Sequence, residues 1–426
     1  MLFAKLEKIF FYLTIFLLVS QLGRHFWPSF SFINGVRSDY LSPTLYVSDI
    51  SIICLAFLYF ARRKIFISSI VKKEYCGSIS FVIFFLLIGI GVVLSKNPYA
   101  GLYGMIKIIE FIFFGFYIAA FQFSKKTFAL SLWVGILFSG FLAMAQFIHH
   151  GSLGGLFYFF GERAFNGETP GIANASIGGS LILRPYATFP HPNVLAGYLL
   201  FTTLLFLHFF ESNKHRVLFI SFTVLVAGIG ILLSLSRAVW IMGIVLGSYL
   251  FIKHRLDRYS IFIFSILVFA LVIFSQTLFA SRLYETSFQN ESVAQRIVLA
   301  RASIDMFKDH MFFGVGLNNY LGELSSYITR LSPVMYQPVH SIFLLLFSEG
   351  GIFSFGMVVY FLYLTTKNVF SLSKKDKEFC LMLLCSFLFI GLFDHYFFTL
   401  QQGQLLMTLV LGVIWNKILT TSGTIT

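Results

Sequence analysis

The chain has 426 residues, of which 58% are hydrophobic and only 12% are charged, and its formal net charge is +13. A soluble protein of this size carries about twice that charged fraction, and apolar runs of roughly 20 residues recur from end to end. The composition excludes a soluble globular protein, and it argues against nucleic-acid binding because the positive residues fall in short loops between apolar runs, where they set topology and meet anionic lipids.

The sequence predicts an all-α polytopic membrane protein, with residues 1–426 forming a single transmembrane domain. About twelve transmembrane helices are predicted, centred near residues 14, 53, 86, 112, 138, 202, 225, 244, 269, 353, 388 and 411. The first follows Lys5 and Lys8 and resembles a signal sequence, but without a small-residue cleavage site it is predicted to be retained. Alternate loops are short and basic, so these loops and both termini are predicted to face the cytoplasm.

Two connecting segments are long, the glycine-rich residues 149–192 and residues 280–339, and both are predicted to be external. Loops of this length in a compact protein are usually functional or disordered. The second continues through the turn-rich stretch FGVGLNNY to His340, where the chain re-enters the membrane. It also contains a predicted amphipathic helix near the membrane surface, whose apolar residues recur at helical spacing: Val293, Ile297, Ala300, Ile304 and Phe307.

The sequence offers no convincing metal site. Its four cysteines, at positions 54, 76, 380 and 385, fall on predicted helices or their ends and are interpreted as small packing residues, without a disulfide or metal-ligand spacing. Asp39 and Asp49 do not form a paired-carboxylate site. No metal and no cofactor is therefore predicted.

Arginine and lysine are distributed differently between the two predicted sides of the membrane. The cytoplasmic loops and tails hold fourteen lysines and five arginines, whereas the external side holds two lysines and nine arginines. Topology signalling accepts either residue, but a planar guanidinium is preferred for gripping phosphate or carboxylate oxygens through paired hydrogen bonds. The external side therefore has the composition of an anion-binding surface. Its arginines are Arg24, Arg37, Arg163, Arg184, Arg237, Arg282, Arg296, Arg301 and Arg330.

Three of these arginines are the best candidates for binding a phosphate group: Arg237 in LSLSRAVW, Arg296 on the amphipathic helix, and Arg184 in RPYATFPHPNVLAGY. Alternatives remain open, since Arg237 can reach a lipid phosphate from its helix end and Arg296 can belong to a solvated helix face. Asn193 is predicted to cap the helix after the prolines, and His191 is either a locally satisfied turn residue or a supporting residue of the site.

His340 stands at the start of a predicted helix, with Ser341 beside it, and faces the side rich in arginine. Nearby positive charge lowers the pKa of an imidazole and keeps it neutral, which suits a general base. The alternative is a hydrogen-bonded structural histidine. Glu349 and Asp394 are acids within or at the ends of spans and are functional candidates. For Glu349, bonding to the backbone of a neighbouring helix is the alternative, and for Asp394 a structural role is favoured slightly.

The motifs RPYATFPHPNVLAGY, SRAVW, the arginine-bearing helix, FGVGLNNY and VHSIFLLLFSEGGIFSFG, in that order, resemble the bacterial O-antigen ligase and polymerase superfamily. The resemblance covers roughly residues 180–400, and its most specific part is His340 and Ser341 separated by nine residues from Gly351. The chain departs from the family pattern at Ala187, where the family has glycine, and at Ser354, where it has glycine, threonine or tyrosine.

The resemblance implies a metal-independent, inverting glycosyl transfer at the outer face of the bacterial inner membrane. The donor would be a glycan on undecaprenyl diphosphate, and the acceptor would be a hydroxyl carried by a lipid or a glycan. Family precedent makes His340 the base and Arg237 and Arg296 the ligands of the diphosphate, with Arg184 a weaker candidate. Ser341, Glu349, Asp394 and His191 are supporting candidates.

Other functions stay open at this stage. Within the superfamily, a polymerase that joins lipid-linked repeats, or a protein glycosylation enzyme, would differ only in its acceptor. A transporter of lipid-linked sugar is the alternative from another class, and it predicts charged residues near the bilayer midplane. The candidate polar residues instead fall at external helix ends, which favours the enzyme over the transporter and over a purely structural membrane protein.

Overall fold

The computed structural model describes residues 2–63, 75–177, 180–210, 216–253, 258–269, 291–328 and 336–421. The fold is almost entirely helical, as predicted. The described helices are α1 (Leu2–Leu17), α2 (Val47–Arg63), α3 (Tyr75–Leu94), α4 (Pro98–Ala120), α5 (Lys125–His149), α6 (Pro192–Phe209), α7 (Arg216–Leu233), α8 (Arg237–Ile252), α9 (Arg258–Phe269), α10 (Glu291–Asp309), α11 (Tyr320–Tyr327), α12 (Ile342–Phe370), α13 (Lys374–Phe393) and α14 (Gln401–Thr421).

Five of these helices, α4, α5, α6, α12 and α14, are long and apolar enough to cross a membrane by length and composition. Shorter apolar stretches lie in α3, α7, α8 and α9. Each of the twelve predicted centres falls within a described helix, with position 269 at the very end of α9. The all-α membrane architecture is therefore confirmed, while a count of twelve spans remains a prediction.

Helix α6 forms the centre of the bundle. It is apolar on all sides, which is typical of a helix surrounded by others. Val194, Leu195, Phe201 and Leu205 are fully buried, and α6 packs against α5, α7, α8, α13 and α14. Around this centre, α14 runs along α4, and Asn416 donates hydrogen bonds to the last carbonyls of α4 at Ile118, Ala119 and Phe121.

The described residues also contain three short two-stranded antiparallel sheets, which the sequence did not predict. Between α1 and α2, strand β1 (Gly23–His25) pairs with β4 (Thr44–Tyr46), and β2 (Phe32–Ile33) pairs with β3 (Val36–Arg37). The Asn-Gly turn between β2 and β3 has positive φ at both residues, as a tight hairpin turn requires. In the first long segment, β5 (Asn174–Ile177) pairs with β6 (Ser180–Leu183).

The connections gather at two opposite ends of the bundle. At the loop end, the segment between α1 and α2 meets both long segments and the α3–α4 and α13–α14 turns. For example, Asn34 donates to the Tyr336 hydroxyl (3.1 Å), and the backbone N–H of Asn97 donates to Asn319 Oδ1 (2.9 Å). The opposite, basic end contains an ion pair between Arg62 Nε and Glu7 Oε2 (2.6 Å). The described parts of both long segments thus lie at the same end of the bundle.

The predicted amphipathic helix of the second long segment exists as α10, but its buried face differs from the prediction. The residues that face the core are Leu299, Ala302 and Met306, and Ser303 Oγ donates to the Leu344 carbonyl of α12 (2.8 Å). Ile304, predicted to lie on the apolar face, is 43% exposed. The small residues Ala302 and Ser303 allow α10 to pack closely on α12, and this contact sets the rotation of the helix.

A cluster of buried charges lies inside the bundle, where the sequence analysis placed no candidate. Lys107 Nζ is 2.5 Å from Asp49 Oδ2 and 3.2 Å from Glu110 Oε2, and all three side chains are at most 12% exposed. Gln401 Nε2 also donates to Asp49 Oδ1, and the Tyr46 N–H donates to Asp49 Oδ2. The cluster joins α2, α4 and α14 and corrects the expectation that polar residues would be confined to helix ends.

Candidate functional site

His340 lies at the loop end, directly before α12. Ser341 is buried and occupies the N-cap position in an extended conformation, so the chain changes direction at this point and leaves the imidazole at the mouth of the helix. The His340 ring meets the His395 ring edge-to-face, with 5.3 Å between centroids. Nδ1 of His340 is buried and has no hydrogen-bond partner within the described part of the chain.

The second imidazole comes from the turn between α13 and α14. Asp394 ends α13 in an extended conformation, and its Oδ1 accepts a hydrogen bond from the His395 N–H (2.8 Å). Nδ1 of His395 is 2.6 Å from Thr399 Oγ1, which fixes the orientation of this ring. Tyr40 contacts the other side of the His395 ring, with 5.7 Å between centroids.

A chain of hydrogen bonds connects Arg184 to this turn. Nε of Arg184 donates to the Ser234 carbonyl (2.7 Å), and its terminal nitrogen donates to Asn193 Oδ1 (2.6 Å). Nδ2 of Asn193 donates in turn to Asp394 Oδ2 (2.6 Å). Residues 201 positions apart in sequence are thereby joined, and Arg184 and Asp394 belong to one polar network.

His191 begins the helix that carries Asn193. Its Nδ1 accepts a hydrogen bond from the Asn193 N–H (3.1 Å), so His191 is the N-cap of α6 and the prediction that Asn193 caps this helix is wrong. The reason is the fixed φ of Pro192, which starts the helix two residues earlier. The local contact agrees with the turn interpretation of His191, while its ring also lies within electrostatic reach of Arg184, Asp394 and His395.

The electrostatics of the site keep its imidazoles neutral. Burial is the largest cause that lowers the pKa of His340, and His395 and Arg296 act in the same direction, while Asp394 opposes them. Burial also lowers the pKa of His191 and of His395. For Asp394, burial raises the pKa, whereas positive charge on His395, His340 or His191 and the Asn193 hydrogen bond lower it, and the net direction is down. The site therefore holds a carboxylate beside neutral imidazoles.

The three candidate arginines occupy different positions relative to this cluster. Arg296, half-buried on α10, lowers the pKa of His340, His191 and His395, so its guanidinium lies near all three rings. Arg184 belongs to the hydrogen-bonded network. Arg237 is exposed at the start of α8, three residues after the Ser234 carbonyl that holds Arg184. The charges of Arg184 and Arg296 thus act on imidazoles of the cluster.

Glu349 has a different surrounding. Its Oε2 accepts a hydrogen bond from the Asn318 N–H (3.0 Å) and its Oε1 one from the Tyr320 N–H (3.1 Å). The segment Met311–Tyr320 crosses α12 at this point, and we refer to it as the crossing segment. Glu349 therefore binds the backbone of a neighbouring segment, which is the alternative that the sequence analysis left open for it.

Backbone geometry near Arg184 depends on Gln146 of α5. Its Oε1 accepts from the N–H groups of Tyr186 (3.0 Å) and Ala187 (2.7 Å), and its Nε2 donates to the Ala187 carbonyl (2.9 Å). Ala187 has a φ of +50°, a left-handed conformation that favours glycine. The glycine that the family pattern has at this position therefore has a backbone reason, and in this chain three hydrogen bonds from one buried side chain hold alanine in that conformation.

Three residues of the site escaped the sequence analysis as candidates for chemistry. Asn193 links Arg184 to Asp394, while His395 and Tyr40 line the side opposite His340. His395 directly follows a singled-out acid in the stretch DHYFFTLQQGQ, and that adjacency was a usable signal. Nothing in the sequence around Tyr40 distinguishes it from the other tyrosines.

The arrangement combines two chemical capacities at one place. An imidazole whose buried Nδ1 has no partner among the described residues can accept a proton, and the guanidinium of Arg296, which acts on the same ring, can stabilise an anion. Among the described residues, no group of three or more histidine, cysteine, aspartate or glutamate side chains has a geometry that could hold a metal ion.

A comparison with protein families finds a match. Residues 222–361 match the family described as O-antigen ligase, and this region contains Arg237, Arg296, His340 and Glu349. Arg184, His191 and Asp394 lie outside the matched residues. The comparison with curated proteins found no match.

Proposed function

We propose that the chain is a membrane glycosyltransferase that moves a glycan from undecaprenyl diphosphate to a hydroxyl of a lipid- or glycan-borne acceptor, on the premise that its residues 222–361 match the O-antigen ligase family. It would act at the external face of the bacterial cytoplasmic membrane, with both termini in the cytoplasm. The observation that carries the proposal is the buried Nδ1 of His340, which has no hydrogen-bond partner among the described residues, together with the positive charge of Arg296 that acts on the same ring.

In this reaction His340 takes the proton of the acceptor hydroxyl. The acceptor oxygen then forms a bond to the anomeric carbon of the donor sugar from the face opposite the diphosphate. The bond between that carbon and the diphosphate oxygen breaks, undecaprenyl diphosphate leaves, and the anomeric configuration is inverted. General-base catalysis of this kind contributes about 10² to 10⁴-fold in rate.

The leaving diphosphate gains negative charge as its bond to the sugar breaks. Guanidiniums fixed beside it in a site shielded from water stabilise that charge more in the transition state than in the donor. Arg296 is the best-placed ligand because its charge acts on all three imidazoles, while Arg184, whose charge acts on His191, and Arg237 are the other proposed ligands. This arrangement supports transfer without a metal or a cofactor.

The remaining candidates support these groups. Asp394 stabilises the imidazolium that forms on His340, since its carboxylate raises the pKa of that ring. His191 caps α6 and so fixes Asn193 on the Arg184–Asp394 path, while Ser341 sets the direction in which His340 leaves the helix. Glu349 holds the crossing segment against α12 and has no direct part in the proposed chemistry.

The decisive experiment pairs a donor-binding assay with a turnover assay on purified protein, using an undecaprenyl-diphosphate-linked glycan. His340→Ala and His340→Gln should lose transfer while binding donor almost normally, because glutamine can hydrogen-bond but cannot take up the proton. His149→Gln, an exposed histidine at the end of α5, is the matched control and should retain activity. Loss of donor binding in the His340 variants, or turnover by the glutamine variant, would make His340 a ligand or a structural residue.

The proposed role of His340 also predicts how the turnover measured in this assay depends on pH. In the empty site, burial and Arg296 lower the pKa of His340, so the ring is neutral. A bound diphosphate offsets the guanidiniums, so the pKa of His340 should rise and the ring should become a stronger base. With donor saturating, kcat/KM for the acceptor should therefore fall toward low pH through one ionisation. If the residual activity of His340→Ala showed the same ionisation, another group would be responsible.

One observation favours the transporter alternative. The Asp49–Lys107–Glu110 cluster places charges inside the bundle, as a transporter of lipid-linked sugar would. Proteoliposomes loaded with a fluorescent lipid-linked sugar would test it: the enzyme proposal expects transfer without acceleration of lipid exchange between leaflets. Polymerase activity shares the same site, and it is distinguished by offering a second lipid-linked repeat as the acceptor.

A further inference from the structure

The first long segment contains an aromatic element that the proposed function does not use. Residues 154–161, with the sequence GGLFYFFG, form a single 3₁₀ helix (Gly155–Phe160) flanked by glycines with positive φ. We refer to these residues as the aromatic segment. It has no charged residue, and its large side chains are exposed: Leu156 by 77%, Tyr158 by 60%, Phe159 by 69% and Phe160 by 41%.

The aromatic segment folds back along α5, although it follows that helix in sequence. The rings of Phe157 and Phe160 lie 6.4 Å and 5.4 Å from the ring of Phe138, measured between centroids. Phe138 lies eleven residues before the end of α5 at His149, which is roughly 16 Å along the axis at 1.5 Å per residue. Because helical side chains tilt toward the N-terminus, the Phe138 ring lies deeper still.

Several backbone N–H groups at the two ends of the aromatic segment have hydrogen-bond partners within the protein. Glu162, which is 3% exposed, accepts from the Leu153 N–H through Oε1 (2.9 Å) and from the Gly154 N–H through Oε2 (2.7 Å). Gln146 Nε2 donates to the same carboxylate (2.7 Å). At the other end, the Gly161 N–H donates to the Tyr158 carbonyl (2.9 Å). A non-helical turn can enter hydrocarbon only when its backbone is satisfied in this way.

The exposed side chains continue an apolar surface of α5. Val134, Phe141 and Ile148 of that helix are 45%, 48% and 78% exposed, and α5 is one of the helices long and apolar enough to span a membrane. A patch of this size and hydrophobicity in water would be unfavourable, whereas beside a membrane helix its natural neighbour is lipid.

We propose that the aromatic segment re-enters the membrane and inserts its exposed side chains among the acyl chains of the leaflet at the loop end. The occupant is bulk lipid hydrocarbon, because the patch is continuous with the lipid-facing surface of α5 and carries no group that would select a head group. The first long segment is thereby anchored in the bilayer at its beginning, with Glu162 holding the backbone of the turn.

The test uses nitroxide spin labels in vesicles of phosphatidylethanolamine and phosphatidylglycerol. In a background lacking the four native cysteines, single cysteines replace Phe159 and, independently, Leu156. Reference labels replace Phe141 and Ile148 on α5 and Glu168, an exposed residue later in the same segment. Power saturation then compares the accessibility of each label to oxygen, which concentrates in lipid, and to a water-soluble nickel chelate.

The inference expects Phe159→Cys and Leu156→Cys to favour oxygen over nickel, with ratios above that of Ile148→Cys and near that of Phe141→Cys. This order is a strong criterion because both residues follow Ile148 in the chain. A ratio like that of Glu168→Cys would place the segment in water and overturn the inference. Low accessibility to both reagents would also overturn it, since the patch would then be covered by protein, such as a second copy of the chain.

Only variants that elute as monodisperse protein are compared. Two labelled positions protect the test against a single variant that does not fold, and if both fail, Tyr158→Cys takes their place. Because the readout is depth in the bilayer, the result is independent of whether the site at His340 transfers a glycan.

Discussion

The arginines of the loop end differ in their surroundings, and this difference makes their exchange for lysine informative. Arg296 acts on three imidazoles, whereas Arg301, five residues later on α10, is exposed. Lysine keeps the charge but loses the planar fork that bonds two oxygens of a phosphate. Arg296→Lys should therefore lower kcat/KM by about 10-fold or more, which corresponds to roughly 1.4 kcal/mol.

Arg301→Lys is the matched control and should leave kcat/KM within about 2-fold, because an exposed charge on a solvated face contributes little. Arg296→Ala gives the kcat/KM that remains without the guanidinium, and the kcat/KM of Arg296→Lys should lie closer to that value than to the wild-type value. Retention of most activity by Arg296→Lys would assign Arg296 to topology or lipid anchoring instead of diphosphate binding.

Ala187 gives a second prediction at the scale of one residue. With a φ of +50° it occupies a conformation that costs an L-residue about 1–2 kcal/mol, and glycine escapes this cost. Ala187→Gly should therefore stabilise the protein by up to about 1 kcal/mol, after the greater freedom of glycine in the unfolded chain is subtracted. Thermal unfolding in detergent measures the effect.

The control is Ala196→Gly, which makes the same chemical change at a fully buried position inside α6. There glycine should destabilise by about 1 kcal/mol, because it is a poor residue for a helix interior. Opposite signs at the two positions are expected. Destabilisation at both would mean that the Gln146 hydrogen bonds, and not the backbone conformation, dominate the energetics at Ala187.

At the scale of elements, the contact between the crossing segment and α12 depends on one carboxylate. Glu349 accepts two backbone hydrogen bonds from N–H groups at the start of α11. Glu349→Gln replaces one accepting oxygen with an amide group that donates, so one backbone N–H loses its partner. The cost should be about 1–3 kcal/mol, and hydrogen exchange at Asn318 and Tyr320 should accelerate.

Glu323→Gln is the control for that change. Glu323 also lies near the start of α11, but its partner is Lys96 at the longer distance of 3.8 Å. The free energy of unfolding of Glu323→Gln should fall by less than about 1 kcal/mol, as for the loss of a surface ion pair. If exchange at Asn318 and Tyr320 stayed slow in Glu349→Gln, the glycine-lined backbone contacts of the crossing segment would be sufficient on their own.

Elements differ in how far the sequence predicts them. The helices follow from hydropathy because a membrane span must satisfy its backbone internally, so an apolar run such as α5 leaves little choice. Contacts between elements do not follow, because nothing local records them: Asn193 meets Asp394 across 201 positions, and nothing in the apolar run that carries Lys107 indicates its contact with Asp49. His340 was predicted from its place at a helix mouth, whereas His395 and Tyr40 are brought to it by tertiary folding.

At the scale of the whole molecule, the described parts of both long segments lie at the same end of the bundle, and the positive-inside rule predicts that this end is external. Single cysteines replacing Glu168 and Lys308, both exposed, should react with a membrane-impermeant maleimide on intact cells. Lys126→Cys and Lys374→Cys, exposed at the basic end, should react only after the membrane is opened. The reverse labelling pattern would mean that the protein has the opposite orientation in the membrane.

The break in α12 has a mechanical consequence. Gly351 has a φ of +60°, and a Cβ there would lie 2.4 Å from the backbone of Phe312, so the crossing segment fits only against glycine. Nine helical residues, from Ile342 to Gly350, lie between Gly351 and the His340–Ser341 pair, and they span roughly 14 Å at 1.5 Å per residue. The spacing of the histidine motif therefore fixes both the distance between His340 and Gly351 and their relative rotation about the helix axis. One inserted residue would rotate the His340 imidazole by about 100° about the helix axis and move it away from His395.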